Sequence, residues 1–170
     1  MRDSLDLLLD GPGEAAVRAE WDALSAAGVP SSGDRTGGHH GPHVTVAERD
    51  RVAEDLEARL DELAVRLPLT LRLGPPLVLG GPGRRVLARA VVATPALLDL
   101  HAAAAAVLGP GGPPHGEVGA WTPHVTLSGR LGDDDVAGAL GALGEAYAVR
   151  AVRLRRWMPA SGTVRDLPRR

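Results

Sequence analysis

Cysteine is absent from this chain, so a disulfide framework, a thiolate nucleophile and a cysteine-ligated zinc are all excluded. Lysine is absent too, because all 19 basic residues are arginines. With the abundance of alanine and glycine, that bias reads as high-GC coding as much as function. Aromatic residues make up 2% of the chain, too few for an extended platform on which successive bases of a single strand could stack. No segment approaches the roughly 18 apolar residues of a membrane span, and no apolar run follows a basic start. A soluble, cytoplasmic protein with no membrane partner is expected. Positive charge is not in excess either: the net charge of -2 argues against bulk coating of nucleic acid, which needs a basic face. Any phosphate recognition must be local. At 170 residues the chain fits one domain, or two small fused lobes, with room for a proper core.

What the chain does contain is one phrase used twice, Pro42-His43-Val44-Thr45 and Pro123-His124-Val125-Thr126. In an extended strand, residues two apart share a face, so each copy sends its histidine and threonine one way and its valine the other. A lone His-x-Thr is more often a hydrogen-bonded structural pair than a catalyst. Two copies, each led by proline, carry more weight.

The surrounding elements repeat as well. Ser4 to Leu9 reads as a strand ended by Gly11-Pro12-Gly13, and a helix follows from Glu14 with Val17, Trp21 and Leu24 at helical spacing. Ser31 to Gly41 is a loop containing Arg35, His39 and His40. After the first motif strand (42–47), Asp50 is placed to cap a helix with Val52, Leu56, Leu60, Leu63 and Leu67 inward. Its charged residues Glu54, Glu57, Arg59 and Asp61 read as a solvated face. Leu67 to Leu73 alternates as a strand until Gly74-Pro75-Pro76.

The second half runs through a strand over 85–92, a helix capped by Thr94-Pro95 and stopped by Gly109, and a loop over 110–119. The second motif strand comes next, then a weaker helix from Asp133–Asp135, a long strand over 147–157 and an edge strand over 162–167. The helix starts at Glu14 and Pro95 each precede a motif histidine by 29 residues (43 − 14 and 124 − 95). The fold expected is α+β: one domain of two pseudo-symmetric lobes, about 1–76 and 77–170, with two antiparallel-rich sheets and outer helices around a central cleft.

Paired His-x-Thr motifs in this layout resemble the two-histidine phosphoesterases, in the branch of 2′-5′ RNA ligases and cyclic phosphodiesterases. The resemblance spans nearly the whole chain in layout, and its specific content is His43-Val44-Thr45-Val46 and His124-Val125-Thr126-Leu127. It implies metal-free, cofactor-free action on cyclic phosphate or 2′-5′ phosphodiester linkages. His43 and His124 would be catalytic, Thr45 and Thr126 would bind phosphate, and the product would carry a 2′-phosphate. Many relatives place an arginine close behind the second motif; here Ser128-Gly129 intervene before Arg130, the candidate for that contact.

The chemistry stands without the family. Opening a cyclic phosphodiester takes one proton from the attacking water and gives one to the departing sugar oxygen. Imidazole, with an unperturbed pKa of about 6.5, can do either near neutrality. Threonine hydroxyls about 6.5 to 7 Å along each strand could donate to the non-bridging phosphate oxygens. Sequence leaves open which histidine is base.

Other residues carry two readings each. His39 and His40 suggest a metal cluster, but no acid lies among them and the Gly-rich loop presets no geometry, so no metal is assigned. His115 is either a contact at the cleft or a solvated loop residue, and His101 is structural. Trp121 and Trp157 either stack a base or pack, with Trp157, next to Arg153, Arg155 and Arg156, the stronger ligand candidate. The partner expected is a nucleotide or RNA terminus with a cyclic phosphate, bound to a monomer. Two other functions remain: an RNA-end binding or ligating protein, and a non-catalytic nucleotide-binding descendant of the fold.

Overall fold

The computed structural model describes residues 2–35 and 40–168. Seven strands and four α-helices follow one another among the described residues: β1 (Asp3–Leu9), α1 (Gly11–Ala26), β2 (His43–Arg49), α2 (Glu57–Leu63), β3 (Leu69–Leu79), β4 (Val86–Val91), α3 (Pro95–Leu108), β5 (His124–Thr126), α4 (Val136–Gly141), β6 (Tyr147–Met158) and β7 (Thr163–Leu167). The antiparallel α+β class expected from the sequence is what folds. Its strands, however, form one hydrogen-bonded sheet rather than two, in the order β1-β2-β5-β4-β3-β6-β7 with a further β1–β6 pairing. The long β6 unites them: Tyr147 to Ala151 pair with β3, and Ala151 to Trp157 pair with β1. No helix among the described residues is long and apolar enough to cross a membrane.

The duplication is visible in the pairing itself. Exchanging β1, β2 and β3 for β4, β5 and β6 leaves every pairing unchanged except the β6–β7 edge. Within that pattern the third strand of each half is hydrogen-bonded to the first strand of the other, β3 to β4 and β6 to β1.

Several boundaries differ from the sequence reading, each for a local reason. Gly11-Pro12-Gly13 does not break the chain ahead of α1 but forms its first turn. Asp10 is the N-cap, accepting from the Gly13 N–H at 3.0 Å, and proline in the first turn has no helical N–H to lose. The helix start therefore precedes His43 by 32 residues (43 − 11) and its counterpart precedes His124 by 29 (124 − 95), so the equal spacing does not hold. Strand β3 runs through Gly74-Pro75-Pro76 to Leu79, past the boundary expected at residue 76. Its pairing with β6 ends at Leu73, so the prolines sit where that edge has no ladder bond to lose, at a register shift against β4.

Asp50 caps no helix, because its carboxylate accepts from Arg2 at 2.9 Å. Nor is the charged face of α2 solvated throughout. Asp61 is buried against Arg165 at 2.9 Å, and Glu57 accepts from the buried Arg156. The core lies between the sheet and the helices, where Leu7, Leu24, Val44, Leu60, Leu87, Leu100 and Val125 are fully buried.

Candidate active site

The two motif copies meet. β2 and β5 pair antiparallel at one position, Val44 opposite Val125, and both valines are fully buried. Antiparallel pairing there sets His43 opposite Thr126 and Thr45 opposite His124, with cross-strand neighbours about 4.5 to 5.5 Å apart at Cβ. All four polar side chains take the face away from the valines and are half-buried. Exchanging the first three strands for the next three therefore maps the Val44–Val125 pair onto itself.

Each histidine is held the same way. The Nδ1 of His43 lies 2.8 Å from the Gly41 carbonyl oxygen and the Nδ1 of His124 lies 2.8 Å from that of Thr122. A carbonyl can only accept, so in each ring Nδ1 carries the proton and donates it, and in the neutral imidazole the lone pair is on Nε2. The carbonyls that β2 and β5 do not exchange with each other are taken by tryptophan. Trp21 Nε1 donates to the Thr126 carbonyl at 3.2 Å, and Trp121 Nε1 donates to the Thr45 carbonyl at 3.2 Å.

Behind each indole is a stacked histidine, with the partners exchanged between halves. Trp21 of α1 stacks on His40 of the loop at 5.4 Å, and His101 of α3 stacks on Trp121 of the loop at 4.2 Å. His40 Nε2 donates to the Ser32 carbonyl at 2.8 Å. Its pKa is lowered, chiefly by burial, against the raising effect of that carbonyl, with Arg35 and His43 adding to the depression. His101, 2% exposed, bonds the Val46 carbonyl at 2.8 Å.

The threonines differ from one another. Thr45 Oγ1 donates to Asp6 Oδ1 at 3.1 Å, and Arg155 Nη2 lies 3.2 Å from Asp6 Oδ2. Asp6 is the β1 neighbour of Thr45, whereas Thr126 has Ala88 in the equivalent place on β4. The sequence reading passed over Asp6, although its position between Leu5 and Leu7 marked a polar residue facing away from the core.

Thr45, His124 and Thr126 line a cleft of about 660 Å³ together with Leu79, Val86 and Trp121. His115 is exposed and lines the same cleft. A smaller cavity of about 230 Å³ touches Pro42, ahead of His43, and holds Arg18, His40, Arg153 and Arg155. Trp157 is half-buried on β6, opposite Ser4 and Val164, and lines neither cavity. Arg130 is exposed beyond the end of β5 and also lines neither. His39 lies outside the described residues. Among the described residues no group of three or more His, Asp or Glu side chains is arranged to hold a metal ion.

The family model of the 2′-5′ RNA ligase superfamily matches residues 12–168. No curated protein matches by sequence. Among solved structures, E. coli LigT complexed with 3′-AMP superposes with a TM-score of 0.54 at 20% identity, covering 98% of this chain and 93% of that one. Usb1 of Kluyveromyces marxianus superposes at 0.55 with 13% identity, covering 98% and 97%. Its complex with uridine monophosphate superposes at 0.56 with 14% identity and the same coverage. At these identities the structural likeness speaks to the fold.

Proposed function

The chain belongs to the 2′-5′ RNA ligase superfamily, within the two-histidine phosphoesterases, and from that premise we propose that it hydrolyses 2′,3′-cyclic phosphate at the end of a nucleotide or RNA, or a 2′-5′ linkage, without a metal ion. What supports this most is the meeting of the two motifs at Val44 and Val125 with both Nδ1 atoms occupied by backbone carbonyls. Two Nε2 atoms are thereby left for one reacting phosphorus.

One imidazole takes a proton from water as its oxygen bonds to phosphorus, while the other, protonated, gives its Nε2 proton to the 3′-oxygen as the P–O3′ bond breaks. The product carries a 2′-phosphate and a free 3′-hydroxyl. Thr45 and Thr126 border the phosphate position. In the reverse direction the same groups exchange tasks: the 3′-oxygen gives up its proton and bonds to phosphorus, and the departing oxygen takes a proton and leaves as water. The complexes of the structural neighbours with 3′-AMP and uridine monophosphate fit a nucleotide-sized ligand, and the 660 Å³ cleft suits that size. In this reading residues 1–76 and 77–170 are two lobes with their third strands exchanged.

The test is a screen of 2′,3′-cyclic nucleotides, 2′-5′ dinucleotides and cyclic-phosphate RNA with purified protein, resolved by chromatography. Conversion of a 2′,3′-cyclic nucleotide to the 2′-monophosphate is expected. Conversion of none of these, with nucleotides still bound, would favour a binding protein instead.

A further inference from the structure

The carboxylate of Asp6 is hydrogen-bonded to a motif side chain, Thr45, and it has no counterpart in the other half. Its position on β4 is taken by Ala88. Asp6 is 2% exposed, with one carboxylate oxygen accepting from the Thr45 hydroxyl at 3.1 Å and the other facing Arg155 at 3.2 Å. A threonine hydroxyl has a single proton to donate and two lone pairs. With the proton held by a charged acceptor, what Thr45 presents to the cleft is lone pairs. Non-bridging phosphate oxygens also offer only lone pairs, so Thr45 and phosphate repel where Thr126 and phosphate can bond.

We propose that Asp6, steadied by Arg155, is a positioning residue that turns Thr45 into a hydrogen-bond acceptor for the attacking water, leaving Thr126 as the threonine that donates to phosphate. The proposal rests on the hydrolase reading above and deepens it. The antiparallel register puts Thr45 beside His124 and Thr126 beside His43. A water held by Thr45 gives one hydrogen to its Oγ1 and the other to His124 Nε2, which makes His124 the base. As the water oxygen bonds to phosphorus, that second proton passes to His124. The P–O3′ bond breaks, and the 3′-oxygen takes the Nε2 proton of His43, the acid on the side where Thr126 holds a non-bridging oxygen. The atoms that break the symmetry of the site are therefore outside the repeated motif.

The experiment compares the isosteric variants Thr45→Val and Thr126→Val for calorimetric binding of inorganic phosphate and of 2′-AMP, alongside turnover of 2′,3′-cyclic AMP. Thr126→Val should weaken phosphate binding roughly tenfold to a hundredfold, the cost of one bond to a charged group. Thr45→Val should change it by less than about threefold while kcat falls by a similar tenfold to hundredfold. Asp6→Ala, which copies Ala88, should tighten phosphate and lower kcat, a split that a merely structural loss would not produce. Should Asp6→Ala fail to fold, the two valine variants decide alone. Equal losses of phosphate affinity in both valine variants, with wild-type turnover intact, overturn the assignment. Absence of wild-type turnover overturns the hydrolase reading on which it rests.

Discussion

At Trp21 and Trp121 a single N–H decides whether a motif carbonyl is satisfied. Replacing either by phenylalanine keeps most of the apolar area and leaves the carbonyl of Thr126 or Thr45 without its donor. An unsatisfied buried acceptor costs about 1–3 kcal/mol, which urea unfolding should register for each variant, and turnover should fall as the strand loses its brace. His40 gives a pH signature. Its folded pKa lies below the unfolded value of 6.5, so the unfolded chain binds more protons in the window just below 6.5, and stability falls as pH drops through it. His40→Asn should flatten the decline in urea midpoint from pH 7 to pH 5; an unchanged slope would remove His40 as its cause. Legibility at this scale follows sequence distance. His43, Thr45, His124 and Thr126 could be assigned to one face because strand alternation is local. The bond from Trp21 to Thr126 spans 105 residues, and nothing near Trp21 announces it. The same holds for Arg165, whose partner Asp61 lies 104 residues away, so α2 looked solvated.

Among the elements, α1 depends on a glycine that the sequence presents as a breaker. A Cβ on Gly13 would lie 2.8 Å from Asp10 Oδ1 and 3.0 Å from Val149 Cβ, so the residue lets the helix cap form and lets the first turn approach β6. Gly13→Ala should therefore destabilise by roughly 1–3 kcal/mol, as overpacking does, despite alanine's better helix propensity. A measured stabilisation would mean that Val149 gives way freely. Helix α3 was legible throughout because all its signals agree. Thr94 caps it, Pro95 opens it, and Gly109 closes it at φ 71°. In α1, by contrast, Gly-Pro-Gly can signal either a turn or a helix start, and only Asp10 decides. Strand β3 misled for the opposite reason: Pro75 and Pro76 are tolerated because β6 has already stopped pairing there, a fact about the partner strand.

Across the whole molecule, the halves are tied by a buried ion pair. Arg89 of β4, 1% exposed in its side chain, faces Glu20 of α1 at 2.5 Å, and the Tyr147 hydroxyl of β6 donates to the same carboxylate at 3.0 Å. Arg89→Met should cost about 3–5 kcal/mol, because Glu20 is left buried without its cation, seen as a lower urea midpoint. A loss below 1 kcal/mol would mean that Glu20 reaches water or takes up a proton. The recurring order of elements was legible, whereas the pairing of β3 with β4 and of β6 with β1 was not, since pairing between distant strands leaves no local pattern. The proposed chemistry requires the two imidazoles to share one reaction. It is tested most directly by turnover of 2′,3′-cyclic AMP across pH, under exhaustive chelation, by wild type, His43→Ala, His124→Ala and the double variant. The prediction is a bell-shaped wild-type profile unaffected by chelator, a loss of about 10² to 10⁴ in each single variant, and a double loss smaller than the product of the two. Chelator-sensitive turnover that zinc or manganese restores, with His124→Ala still active, would contradict it.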